Sequence, residues 1–175
     1  MADEEQGAGG NGADLSGQPQ VSILAQYVKD LSVENPSAPQ VYSWQVQPQL
    51  EVQFNLNVEP DRENVHQVTL KFDISARSDN GVHFVVDLSY GGLFAIQNVP
   101  QEALSPFLLI EAPRLLFPFA RQVISDAIAN CGFPPLLLDP IDFAGAYMAQ
   151  LEAAQQQQSG LAGGTEPSPE GAGNA

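Results

Sequence analysis

Four stretches of the chain alternate apolar and polar residues with a period of two, the pattern of strands that cover one face and wet the other. In "VSILAQYVKDLSVE" the odd-numbered Val21, Ile23, Ala25, Tyr27, Leu31 and Val33 carry the apolar phase. In "QLEVQFNLNVE" Leu50, Val52, Phe54, Leu56 and Val58 alternate with polar residues almost without exception. "VHQVTLKFDISAR" sets Val68, Leu70, Phe72, Ile74 and Ala76 on one face, and "VHFVVDLSYGG" does the same with Val82, Phe84, Val86, Leu88 and Tyr90. Between the last two lies "SDNG". Its Asn80-Gly81 pair predicts a type I′ hairpin, in which both central residues take positive φ.

The period then changes. Ser105-Pro106 reads as an N-cap followed by proline at the first helical position. Leu116, Ala120, Val123, Ile124, Ala127 and Ile128 form a helical stripe, with Arg114, Arg121, Gln122, Ser125 and Asp126 on the opposite face. Pro113 and Pro118 predict a kink or a broken first part, and Asn130 to Gly132 ends the helix. In "GFPPLLLDPIDF", residues 132–143, three leucines follow two prolines and precede a third. They make a poor helix interior, so the segment is a stiff, greasy connector. Asp139-Pro140 opens a second helix with the stripe Phe143, Tyr147, Met148 and Leu151. The result is an α+β domain: a four-stranded antiparallel sheet with helices packed on one face. One long helix does not cover four strands, and the leftover apolar area predicts an oligomer.

Composition bounds this picture. In 175 residues, 43% are hydrophobic, enough for one domain with a real core. Residues 1–20 and 154–175 are polar and Gly- or Gln-rich and read as disordered tails around a domain at residues 21–153. The net charge is −15, from six Lys and Arg against 21 Asp and Glu. Such a chain lacks the basic face a general nucleic-acid binder needs, and its field draws basic segments of other proteins. The single cysteine, Cys131, permits no internal disulfide and fits a reducing compartment. Neither a signal peptide nor a run of about 20 apolar residues is apparent, which predicts no direct membrane insertion.

Catalytic chemistry is poorly supplied, so no catalytic residue, metal or cofactor is assigned and the chain is not read as an enzyme. His66 falls on the inward phase of the third strand and His83 on the outward phase of the fourth. Neither shows a partner for general-base work or metal binding. Cys131 reads as a small buried hydrophobe. "YGGLF", Tyr90 to Phe94, lacks the spacing of a phosphate loop; its glycines end or bend the strand or admit a close neighbour.

The outward faces say more. Asp30 and Glu34 are four apart and share a face, opposite Tyr27 and Val33; Val85 and Asp87 point outward on the fourth strand. Were the first and fourth strands neighbours, these four would form an acidic patch with an apolar spot, a landing site for a basic partner. Separately, Tyr42 and Trp44 sit on a loop between Pro39 and Pro48. With Phe133, the leucine run, Phe143 and Tyr147 they put grease where loops normally carry polar groups.

"YVKDLSVENPSAPQVYSWQVQP", "YGGLFAI" and above all "APRLLFPFARQVISDAIANCGFPPLLLDPIDFAGAY" resemble SecB, the bacterial protein-export chaperone family, over about residues 21–152. The resemblance implies a cytoplasmic homotetramer, a dimer of dimers, whose first and fourth strands are neighbours. It implies an ATP-independent chaperone that binds unfolded precursor proteins, keeps them translocation-competent and delivers them to the export motor SecA. It implies SecA binding at Asp30, Glu34, Val85 and Asp87, where the family pattern has Leu at the third position and Glu at the fourth. The zinc of that contact belongs to SecA. A client groove is implied beside the helices, where Tyr42, Trp44, Leu136, Leu137, Leu138, Phe143 and Tyr147 are placed. The alternative is an acidic protein-interaction adaptor that holds no unfolded client.

Overall fold

Four strands and two helices make up the computed structural model, which describes residues 17–162. The strands are β1 (Gln20–Glu34), β2 (Gln49–Arg62), β3 (Val65–Ser78) and β4 (Gly81–Gln97). They pair antiparallel in the order β1-β4-β3-β2, so β3 and β4 are central and β1 and β2 are edges. Most of each predicted tail, residues 1–16 and 163–175, lies outside the described residues. Gln20 already pairs with Gln97, and the last helix continues past residue 153 to Ala162.

The core is built from the even-numbered phase of the central strands. Val68, Leu70, Phe72 and Ile74 of β3 and Val86, Leu88 and Phe94 of β4 are almost wholly buried. Against them lies α1 (Gln101–Asn130), through Leu116, Ala120, Ile124 and Ile128. Each such aliphatic or aromatic side chain contributes about 1.5–3 kcal/mol when fully buried. Gly92 sets the helix's approach: a Cβ there would stand 2.6 Å from Leu116 Cδ2. Close approach is therefore the role of these glycines, and β4 runs on through them to Gln97.

One helix covers only the two central strands. Val21, Ile23, Val28 and Leu31 on β1 and Leu50, Val52 and Phe54 on β2 remain 36–47% exposed, as are Leu115 and Phe119 on α1 at 45% and 52%. By length and composition α1 could cross a membrane, yet its main stripe packs on β3 and β4.

Several local expectations change. The hairpin closes with Ser78 opposite Gly81, but positive φ falls on Gly81 (137°), and Asn80 is not among the residues with positive φ. The register shifts between Ala76, opposite Phe84, and Arg77, opposite Val82. This makes His83 the extra residue of a bulge, which adds right-handed twist next to the turn. The bulge also overturns the outward assignment of His83, which is only 5% exposed.

The long helix starts at Gln101 behind Pro100, not at Ser105-Pro106. Its irregularity is a π turn over Phe107–Glu111 between Pro106 and Pro113. Pro113 cannot donate to the Leu109 carbonyl, and the wider turn absorbs the mismatch. Ser125 is buried, not on the open face; Leu136, Leu138 and Ile141 of the connector also pack on the core. The second helix, α2 (Phe143–Ala162), starts after Asp142 rather than at Asp139-Pro140. The Gly145 N–H donates to Asp142 Oδ1 at 3.0 Å, an N-cap bond to the third residue of the helix. Only its first turn joins the core: Phe143 is buried, while Met148 and Leu151 are exposed.

Candidate functional site: two faces of one sheet

The face away from the helices is a grid of polar side chains set by strand register. One row across the sheet reads Glu34, Val85, Ser75, Glu51; the next reads Ser32, Asp87, Asp73, Gln53; the third reads Asp30, Ser89, Lys71, Asn55. Asp30, Glu34, Val85 and Asp87 thus stand together on adjacent strands and one face. Tyr27, with Ala25 before it, is the exception to the alternation. A bulge between Val28 and Asp30 inverts the phase, so Tyr27 lies on the same face as Asp30, not opposite it. Its ring covers Gly91, where a Cβ would approach Tyr27 Cε2 to 2.9 Å, and its hydroxyl donates to Gln67 Oε1 at 2.8 Å.

Asp73 was not singled out by the sequence pattern, yet it stands directly opposite Asp87. A hydrogen bond to Asp73 pushes the Asp87 carboxyl above its usual range, as do partial burial and the charges of Asp73 and Glu34; Lys71 acts the other way. The Lys71 ammonium lies 3.9 Å from Asp73 Oδ1, a loose pair on an open surface. A signal for the Asp73–Asp87 opposition was present. The core phases of both strands are even-numbered, while a regular hairpin closing Ser78 on Gly81 pairs even with odd. One extra residue must intervene, and it brings Asp73 to Asp87.

On the helix side a cleft of about 680 Å³ opens between the end of α1, the 3-10 turn Gln40–Ser43 and the connector. Tyr42, Trp44, Val46, Leu50, Phe84, Phe133 and Leu136 line it, with His83 as its imidazole. Trp44 meets the His83 ring edge-on at 5.0 Å, and Phe133 packs on Phe84 at 5.1 Å. His83 Nε2 shares a 2.8 Å hydrogen bond with Ser78 Oγ. The turn is tied to the end of α1 by Tyr42, whose hydroxyl donates to the Cys131 carbonyl at 2.8 Å and accepts from Asn35 Nδ2 at 2.9 Å.

The structure divides the seven residues expected to line a client groove. Tyr42, Trp44 and Leu136 line the cleft. Exposure alternates along the connector, so Leu137 stands out at 63% while Leu138 is buried. Phe143 is also buried, its ring edge-on to Phe54 and Phe117. With half-buried Tyr147 it borders a second depression of about 280 Å³ that Phe54, Leu56 and Leu109 complete. Leu138 and Phe143 are therefore supports of the grooves more than open surface. Their apolar signal does not distinguish the two roles.

His66 lies opposite Pro60 and Phe94, apart from His83, and the Cys131 N–H closes the last turn of α1 onto Ala127 and Ile128. Among the described residues no three His, Cys, Asp or Glu side chains converge as a metal-holding group.

Comparison with known proteins places this arrangement. The family model of SecB, the preprotein translocase subunit, matches residues 14–155. The protein-export protein SecB of Zymomonas mobilis is 56% identical over 155 residues, 89% of this chain and 92% of that one. That of Sphingopyxis alaskensis is 53% identical over 150 residues, 86% of each. Among solved structures, a Mycobacterium tuberculosis SecB-like chaperone in complex with an antitoxin peptide matches with a TM-score of 0.56 at 16% identity. The match covers 69% of this chain and 90% of that one, and shows a shared fold.

Proposed function

Because the chain belongs to the SecB family, we propose that it is a protein-export chaperone that works through the two faces of its sheet: unfolded precursors in the helix-side cleft, SecA on the acidic outer face. The observation that carries this reading is the division of chemistry between the faces. β4 sends Phe84, Val86 and Leu88 to one side and Val85, Asp87 and Ser89 to the other. A client that has not folded offers apolar side chains to Tyr42, Trp44, Leu136 and the exposed Leu137 beyond them. Each one buried contributes about 1.5–3 kcal/mol, without need of a particular sequence. The prolines of the connector hold this surface ready, so little ordering entropy is lost when a client docks. A client that folds hides the same side chains and leaves.

The SecB-like relative from Mycobacterium tuberculosis was solved with a bound peptide, which supports peptide holding by this fold. The basic segment of SecA meets Asp30, Glu34 and Asp87 around Val85, a contact that salt weakens. A cytoplasmic homotetramer, a dimer of dimers, covers the open apolar residues of β1 and those of α1 at Leu115 and Phe119. The cycle asks for no bond-making chemistry and no nucleotide.

Native mass spectrometry of the full chain, with and without an unfolded precursor, tests the reading together with an aggregation assay lacking nucleotide. The expected outcome is a tetramer that takes up the unfolded chain and suppresses its aggregation. A chain that binds SecA but ignores unfolded polypeptide is an adaptor instead.

A further inference from the structure

Asp73 and Asp87 face one another across the two central strands. Resting on the reading that this face docks a basic partner, we propose that Asp73 is a further contact residue of the dock. Together with Asp87 it receives one lysine or arginine of the partner.

Three observations carry this. The first is register. The pair sits beside the row of Glu34 and Val85 and one strand in from Ser32, inside the docking patch. The second is shape. A shallow depression of about 120 Å³ adjoins the two carboxylates, with Glu51 on its far side and Val85 as an apolar wall. A cationic head fits between carboxylates while its methylene stem lies along the valine. The third is charge. Two carboxylates opposed across neighbouring strands repel one another when both are ionised, and a cation set between them relieves that repulsion. The other charged groups around the pair are Asp30 and Glu34 on β1, Glu51 on β2 and Lys71 on β3, with Lys29 of β1 in the neighbouring depression beside Lys71 and Ser89; the helices lie on the other face. Lys71 is loosely held at 3.9 Å from Asp73 and mostly solvated, so it leaves the pair open to a partner cation.

The contact is read by titrating the full chain with purified SecA at low and at high salt. Asp73→Asn should bind SecA roughly 1.5- to fivefold more weakly at low salt, the scale of an exposed pair, with a shallower dependence on salt. Asp73→Glu, which keeps the carboxylate, should keep both. Parent-level affinity and salt dependence in Asp73→Asn would overturn the role of Asp73 while leaving the dock in place. No binding of SecA by the parent chain would overturn the dock itself and this inference with it.

Discussion

The outer face and the cleft are made from the same strands by opposite means. The outer face needs only the sheet: register sets Asp87 beside Glu34 and opposite Asp73, and no loop takes part. The cleft needs three separate pieces, the 3-10 turn, the end of α1 and the connector, held together by contacts such as the bond from Tyr42 to the Cys131 carbonyl. One surface presents charge, whose interactions answer to salt and pH; the other presents apolar area, whose interactions answer to neither strongly. A two-residue period thus delivers two chemistries a sheet's thickness apart, and a change on one face has little route to the other.

The core beneath both is where the distinction should fail. Phe72 is wholly buried on β3, against the rings of Phe54 and Phe117. Phe72→Ala should cost about 3–5 kcal/mol in urea unfolding, through lost burial and the cavity left behind. SecA binding and client holding should fall together as the folded fraction falls. If one survived at full strength, its surface would be folding independently of the sheet core.

On the surfaces the two functions should part. Asp30→Lys with Asp87→Lys should weaken SecA binding by about 100-fold, since like charges then face the basic segment. Aggregation suppression should be unchanged. Leu137→Ser, at a leucine 63% exposed, should do the reverse, lowering client affinity up to tenfold with SecA binding intact. A common loss in either variant, with the oligomer preserved, would mean the two faces are coupled.

These two surfaces were not equally legible in the amino-acid order. The strands were, because β2 and β3 alternate cleanly, and the patch residues were, because even spacing keeps Asp30 with Glu34. The bulges were not. An extra residue at Lys29 or His83 has no composition of its own, yet the first turns Tyr27 to the outer face and the second buries a histidine. The adjacency of β1 and β4 came from family resemblance, since alternation alone does not order strands. The cleft was visible as grease on loops. Which leucines line it and which support it depended on how the connector lies on α1: Leu136 and Leu138 turn in, and Leu137 turns out. Both helix starts were misplaced because a Ser-Pro or Asp-Pro pair is only a permissive signal. The actual boundaries follow Pro100 and the Asp142 carboxylate.

The smallest effect is the one that measures the outer face without any partner. The carboxyl of Asp87 is raised above its ordinary value of 3.8, first by its hydrogen bond to Asp73. The folded chain therefore keeps a proton there at pH values where the unfolded chain has released it. Folding takes up that proton, so this site's contribution to stability improves as pH falls from neutral through the raised value, and levels off below the ordinary one. At neutral pH the opposed pair is a liability, on the scale of about 0.2–1 kcal/mol for a cross-strand neighbour. Asp73→Asn removes its main cause. The variant should be more stable than the parent by that amount in urea at pH 7, with the gap closing as the pH approaches 4. A gap that widened toward acid, or a variant less stable at pH 7, would mean that Asp73 steadies the outer face through some contact other than the one it makes with Asp87, and the contrast between a charged face and a neutral cleft would lose its sharpest point.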